Sequence, residues 1–201
     1  NKFPLVAIII PTFNRQSFIA VTIDSSLGQD YGNIEIIITD NASSDDTVKI
    51  VKEYVKRDNR VKLICQKKNL GPVLNWKAGI NFASGQYIKI LWSDDLISRS
   101  FITKAMNLFN DYDNLAFVYS SVKVGERLNS AFEIIYDYFP YTGIFDVSEF
   151  VNGIYSLKPF PYSPGCAIFE AQILRDSFIE ANDLFHNNYL ENGAGPDVLM
   201  F

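Results

Sequence analysis

Histidine and cysteine are scarce in this 201-residue chain: His186 is the single histidine, and Cys65 and Cys166 are the only cysteines. Without a Cys/His cluster, the recognisable zinc spacings are excluded. A Ser-His-Asp hydrolase has little to draw on, and no G-x-S-x-G elbow is present. The two cysteines lie far apart in apolar contexts, so buried free thiols are expected rather than a disulfide framework. Glycine-rich phosphate loops are also missing. No G-x-G-x-x-G follows a strand-like run, and no G-x-x-x-x-G-K-[ST] occurs, which speaks against dinucleotide-binding dehydrogenases and P-loop NTPases. Apolar runs do not exceed strand length, so no signal peptide or membrane span is expected and a cytoplasmic location is the default. Basic residues number 18 against 23 acidic ones, for a net charge of −5. That balance argues against a nucleic-acid binder driven by phosphate attraction. It leaves room for a nucleotide whose phosphates are neutralised by a metal.

What the chain does have is apolar bulk: 48% hydrophobic residues, with 16 Phe and 11 Tyr, enough for one large domain with a sizeable core. Leu5–Ile10 is a continuous, largely β-branched run, the pattern of a strand covered on both faces. Pro11–Arg15 breaks it, and a helix is expected from about Gln16 to Leu27. A second strand, Ile34–Thr39, ends in Asp40 and Asn41. A helix then runs to about Lys56, with Ser44 expected as its N-cap and acids in its first turn. A third strand, Val61–Cys65, precedes Lys67, Lys68 and Asn69, and a helix follows from Gly71-Pro72 to about Ala83. The fourth strand, Tyr87–Trp92, stops at the paired acids Asp94 and Asp95. Further expectations are a helix at about Ser100–Phe109, a strand at Leu115–Ser120, a helix at Val147–Tyr155, a strand at Cys166–Phe169 and a helix at about Ala171–Ala181. This alternation reads as a Rossmann-like α/β domain over residues 1–201, with a mostly parallel sheet, right-handed crossovers and helices on both faces. Residues 1–98 would form a nucleotide-facing half, and 99–201 a smaller acceptor-side half. The sequence stops inside an apolar run at Phe201, so the natural protein is expected to continue.

In such a sheet the loops after successive strands gather on one edge. Here they carry Thr12 and Asn14, Asp40 and Asn41, Lys67 and Asn69, and Asp94 and Asp95. Each loop alone has a structural explanation: Asn14 as a helix cap, Asp40 in a turn, the lysines as solvated surface. Adjacent like charges repel and are costly to desolvate, so Asp94 and Asp95 call for a compensating partner, of which a hard divalent cation is the natural kind.

In their order and spacing, Val6–Arg15, Ile36–Thr47, Asn69–Gly71, Ala83–Ile88 and Leu91–Asp95 resemble the family-2 glycosyltransferases of the GT-A fold. The resemblance covers roughly residues 5–98 and extends more weakly to the C-terminus. It implies inverting transfer of a sugar from a nucleoside-diphosphate sugar, UDP-sugars first, to an acceptor hydroxyl, in bacterial cell-surface polysaccharide or glycan synthesis. By the same resemblance, Thr12 and the backbone of Pro11 and Phe13, with Asn14, border the nucleoside. Asp40 takes the base N–H, with Asn41 beside it. Ser93 and Asp94 face the ribose or the metal shell, and Asp95 is the protein ligand to Mn²⁺ or Mg²⁺. The family's general base maps to Asp197, in Gly193–Asp197, for which a first-turn acid after an N1 proline is the structural alternative. Departures from the family are Pro196 for a Glu, Trp92 for a third acid, and Trp76-Lys77 for an Arg-Asn pair. They leave Lys67, Lys68 and Lys77 as candidate diphosphate cations, and leave open a non-catalytic sugar-nucleotide- or partner-binding module as the alternative. The aromatics Tyr136, Tyr138, Phe139, Tyr141, Phe160 and Tyr162 serve core packing or stack on a saccharide or lipid-linked acceptor. Peripheral association at the inner membrane face fits such an acceptor.

Overall fold

The structure, a computed structural model, describes residues 3–125, 134–136, 141, 143–156 and 163–177, with backbone only at 134–136. Six strands form one sheet. β1 (Val6–Thr12), β2 (Ile34–Asp40), β3 (Val61–Cys65) and β4 (Tyr87–Ile90) run parallel, while β5 (Phe117–Tyr119) and β8 (Ala167–Glu170) complete the far edge. The order is β3-β2-β1-β4-β8-β5, and β8 is antiparallel to both of its neighbours. A separate hairpin pairs β6 (Val122–Val124) with β7 (Ile134–Tyr136). This is a mixed α/β fold of the GT-A kind, built on a mostly parallel sheet.

Every residue of β1 and β2 is buried. Because side chains alternate, even-numbered positions of these strands face one layer and odd-numbered ones the other. Ile8, Ile10, Ile36 and Ile38 pack with Ile19 and Ile23 of α1 (Ile19–Leu27), Val51 of α2 (Thr47–Arg57) and Ile102 of α4 (Phe101–Asp111). Ile9 and Ile37 pack with Ile80 of α3 (Pro72–Phe82), Phe169, and Leu174 of α6 (Ala171–Asp176). Each fully buried isoleucine contributes about 1.5–3 kcal/mol, so this two-sided core fixes the strand register and holds the strand ends level. α3 approaches the sheet closely at Gly79, where a β-carbon would lie 2.5 Å from Ile9 Cγ2 and 3.0 Å from Thr39 Cγ2.

Strands β2 and β3 and helix α5 (Val147–Tyr155) fall within a residue of expectation, whereas β1 continues two residues further, through Pro11 and Thr12, because both still pair with β2 where Pro11 was expected to break the strand. Several boundaries differ, for local reasons. α1 begins at Ile19 rather than Gln16, because Arg15 O is taken by the N–H groups of Phe18 and Ile19 in a turn. α2 has Asp46 at its N-cap, not Ser44. Ser44 N donates instead to Asn14 Oδ1, and no acid lies in the first helical turn. Asn14 therefore caps no helix; it bridges two loops. β4 ends at Ile90, two residues short, and β5 is shorter at both ends. Cys65 is exposed on edge strand β3, whereas Cys166 is buried as expected. Tyr141 is 65% exposed, so core packing does not describe it. α6 is described to Asp176; the expected extension to Ala181, Asp197, His186, Tyr138, Phe139, Phe160 and Tyr162 lie outside the described residues, as does the Tyr136 side chain. Among the described residues no helix is long and apolar enough to cross a membrane.

Candidate active site

The carboxyl ends of β3, β2, β1 and β4 are joined by hydrogen bonds and an ion pair in that same spatial order. Between the β3 and β2 loops, Asn41 Nδ2 donates to Asn69 Oδ1 at 2.8 Å and to Gly71 O at 3.2 Å, while Leu70 N donates to Asn41 Oδ1 at 2.8 Å. Gln66 N also donates to Asp40 O at 2.8 Å. Between the β2 and β1 loops, Asn41 N donates to Thr12 O at 2.9 Å, and Asn14 N donates to Ser43 Oγ at 2.9 Å. Arg15 N and Gln16 N reach Thr47 Oγ1 and Asp45 Oδ2 at 2.8 and 3.2 Å. Between the β1 and β4 loops, Arg15 Nε lies 3.6 Å from Asp94 Oδ2, with both side chains more than two-fifths exposed. At that exposure the ion pair is worth little for stability; it does place a guanidinium at the acidic end of β4.

Within this edge, Thr12 and Asp40 are register partners at the ends of β1 and β2 and are both buried. Asp40 Oδ2 accepts from Ser43 N at 2.9 Å. Asp40 Oδ1 and Thr12 Oγ1 have no partner among the described residues. A buried polar atom without a partner is destabilising by about 1–3 kcal/mol, and such atoms call for an explanation. The loop carries strain as well: Asn14 (φ 52°) and Ala42 (φ 63°) sit in the left-handed region. Asparagine tolerates that conformation; alanine does so at a steric cost, and such outliers gather at functional sites.

Ser93 is buried, and its carbonyl accepts from Thr22 Oγ1 of α1 at 3.0 Å. Asp95 N donates to Trp92 O at 3.0 Å, closing a tight acidic turn over Trp92–Asp95. The Asp95 side chain reaches solvent, yet it is crowded by surrounding protein. That desolvation first, and the charge of Asp94 second, push its carboxyl above the usual range, while Lys89 pulls it down. Asp94 and Asp95 stand side by side as expected. Among the described residues, no three histidine, cysteine, aspartate or glutamate side chains gather into a metal cage. Phe13, Lys67 and Lys68 are exposed, and Lys77 lies partly buried on α3. A depression of about 310 Å³ beside Asn41 is lined by Lys68, Asn69, Leu70, Gly71 and Leu74. Of the residues marked from sequence, the structure thus brings together Thr12, Asn14, Asp40, Asn41 and Asn69 directly, and reaches Asp94 through Arg15.

Lys89 was not among them. It is 1% exposed in the middle of β4, packed 4.7 Å from the Phe101 ring, and its ammonium donates to Gly165 O. Burial lowers its pKa to about 8, with Cys166 and Asp95 acting the other way. The sequence signal was present: a lysine inside an otherwise apolar run, in a sheet expected to carry helices on both faces.

Residues 7–177 match the profile of glycosyl transferase family 2, and the chain belongs to that family. A Haemophilus influenzae protein described as an uncharacterized glycosyltransferase is 38% identical over 106 residues, 53% of this chain and 42% of its own length. A Campylobacter jejuni GalNAc(5)-diNAcBac-PP-undecaprenol beta-1,3-glucosyltransferase is 36% identical over 109 residues, 54% of this chain and 35% of its own. The aligned part therefore spans less than half the length of these relatives. Among solved structures, S. aureus TarS superposes with TM-score 0.68 at 22% identity, covering 97% of this chain and 32% of TarS. TarS 1-349 in complex with UDP gives 0.63 at 20% identity, over 97% of this chain and 53% of that one. The mannosyltransferase PcManGT from Pyrobaculum calidifontis, in complex with GDP-Man and Mn2+, gives 0.55 at 24% identity, over 60% of this chain and 36% of its own.

Proposed function

We propose that this chain forms the donor site, and part of the acceptor site, of an inverting glycosyltransferase that moves a sugar from a UDP-sugar to an acceptor hydroxyl. The observation that carries the reading is the connected polar edge, in which Asp40 Oδ1 and Thr12 Oγ1 lack partners. An acceptor and a hydroxyl side by side suit the N–H and carbonyl of a pyrimidine base. Pro11, Thr12 and Phe13 would border the nucleoside, and Asn41 and Asn69 would hold the loops that shape its pocket. Asp94 would take the ribose hydroxyls, releasing Arg15 as it does so. Lys67, Lys68 or Lys77 would face the diphosphate.

The acidic turn fits Mn²⁺ or Mg²⁺ held through Asp95. Its carboxylate is crowded and lacks full charge compensation, and with no third acid grouped with it among the described residues, diphosphate oxygens and water would fill the remaining coordination positions. When bound, the cation stabilises negative charge building on the leaving diphosphate. The two neighbours crystallised with UDP and with GDP-Man and Mn2+ support a nucleotide donor and a divalent ion. Asp197 is proposed as the base that takes the acceptor proton on the opposite face. The undecaprenol-linked glycan in the name of the Campylobacter relative supports a saccharide or lipid-linked acceptor; a lipid-linked acceptor would be met at a membrane, for which we take the inner face. We read residues 1–201 as a single GT-A domain.

The test measures UDP affinity and UDP release from UDP-glucose and UDP-GlcNAc with Mn²⁺. Asp197→Asn should keep UDP affinity within about twofold and lower turnover by on the order of 10²-fold or more. Unchanged turnover removes Asp197 from the reaction. Nucleotide binding with no turnover in any variant or in wild type would favour the non-catalytic module.

A further inference from the structure

Because β8 runs antiparallel to β4, with Lys89 opposite Ile168, the residues before Ala167 extend past the carboxyl end of β4. They form a single 3-10 turn, Pro164–Cys166, with Ser163 at its head. That turn belongs to the acceptor-side half by sequence, yet it lies against the acidic turn. Lys89 of β4 and Trp92 of the turn just after it hold it there, packed against opposite core layers. On one face Lys89, packed on Phe101, donates to Gly165 O. On the other, Trp92 packs with the second core layer and its indole N–H donates to Ser163 Oγ at 3.0 Å. Ser163 Oγ also accepts from Gly165 N at 3.2 Å. The fit is tight: a β-carbon at Gly165 would lie 2.7 Å from Trp92 Nε1 and 3.0 Å from its Cδ1. Trp76 backs Trp92 with ring centroids 4.8 Å apart.

Trp92 is also the first residue of the acidic turn, since its carbonyl holds Asp95 N. One residue therefore touches both turns. We propose that Trp92 and Lys89 are positioning residues: they clamp the Ser163–Gly165 turn to the Trp92–Asp95 turn and thereby fix the Asp95 carboxylate for the metal–diphosphate group. Trp92 adds no ligand of its own; it supports the neighbouring carboxylate mechanically. Lys89 lies within electrostatic range of Asp95 but bonds to Gly165. Charge alone would make its removal favour a cation at Asp95, whereas the clamp requires its removal to disfavour one, so the two effects have opposite sign.

The inference rests on the donor reading above, and the experiment separates the two. Calorimetry measures UDP affinity with and without Mn²⁺ in wild type, Trp92→Phe, Ser163→Ala, their double variant, and Lys89→Met, with melting curves to confirm folding. Trp92→Phe keeps a ring on Trp76 and deletes only the N–H donor and part of the indole. The expected result is metal-free UDP affinity within about twofold of wild type in every variant. The Mn²⁺ enhancement should fall about 5–10-fold, on the scale of one lost hydrogen bond. Trp92→Phe and Ser163→Ala should be non-additive, because they remove the same bond. Absence of Mn²⁺ enhancement in the wild type would remove the donor reading itself. Wild-type enhancement retained in Trp92→Phe and Ser163→Ala, or an enhancement that rises in Lys89→Met, overturns the clamp and leaves the donor reading standing.

Discussion

At the scale of single residues, the informative groups are those whose surroundings conflict with their chemistry. Lys89 is a charge in a place built for isoleucine. Its pKa is lowered from 10.5 to about 8 by burial. Between those values the unfolded chain still holds a proton that the folded protein has released, so stability rises with pH across that window. Below about 8 both states are charged and the full desolvation cost is present. The unfolding free energy of wild type, from denaturant titration, should therefore climb relative to Lys89→Met as pH is raised from about 7 to about 10, by roughly 1–3 kcal/mol. Parallel pH profiles would show that Lys89 is not desolvated as described. Asp40 is the converse case, an acid whose second oxygen has no donor among the described residues. Its importance was legible because it closes an apolar strand. The orphaned oxygen was not, since it depends on how Ser43 folds back onto the same carboxylate. Likewise Arg15 stood inside a recognisable motif, but its pairing with Asp94 joins positions far apart in sequence and needs the fold.

At the scale of elements, continuous β-branched runs announced β1 and β2 because burial on both faces leaves no polar alternation to blur them. Boundaries were less legible where side chains of one loop serve another. Ser44 could cap α2 by local rules, yet its hydroxyl and its backbone N–H both turn to Asn14 Oδ1 of the β1 loop. The strand-like run through Trp92 ends at Ile90 because the chain must turn there to place Asp95. Helix α3 gives a prediction of its own. Gly79 sits against Ile9 and Thr39 with no room for a methyl group. Gly79→Ala gains helix propensity by about 1 kcal/mol in isolation, but overpacking costs about 1–3 kcal/mol and would lift α3 from the sheet. The net expectation is a lower melting temperature, by a few degrees at about 2–4 °C per kcal/mol. A melting temperature equal to or above wild type would mean that α3 does not pack as closely as the geometry requires. Because α3 flanks the Asn69–Gly71 loop, UDP affinity should weaken in the same variant.

At the scale of the whole molecule, the sheet order explains the site. β1 and β4 are neighbours although two strands separate them in sequence, and that crossover brings Arg15 to Asp94. The insertion of β8 between β4 and β5 was not legible, since Cys166–Phe169 reads as a strand without revealing its neighbours or direction. That insertion brings the Ser163–Gly165 turn to the acidic Trp92–Asp95 turn. The central claim is that Asp95 holds a divalent cation only in company with a nucleoside diphosphate. UDP affinity measured with and without Mn²⁺, in wild type and Asp95→Ala, tests it most directly. The account predicts little thermal stabilisation by Mn²⁺ alone, a marked Mn²⁺ enhancement of UDP binding in wild type, and loss of that enhancement in Asp95→Ala with metal-free UDP binding preserved. Undiminished Mn²⁺-dependent UDP affinity in Asp95→Ala would contradict it.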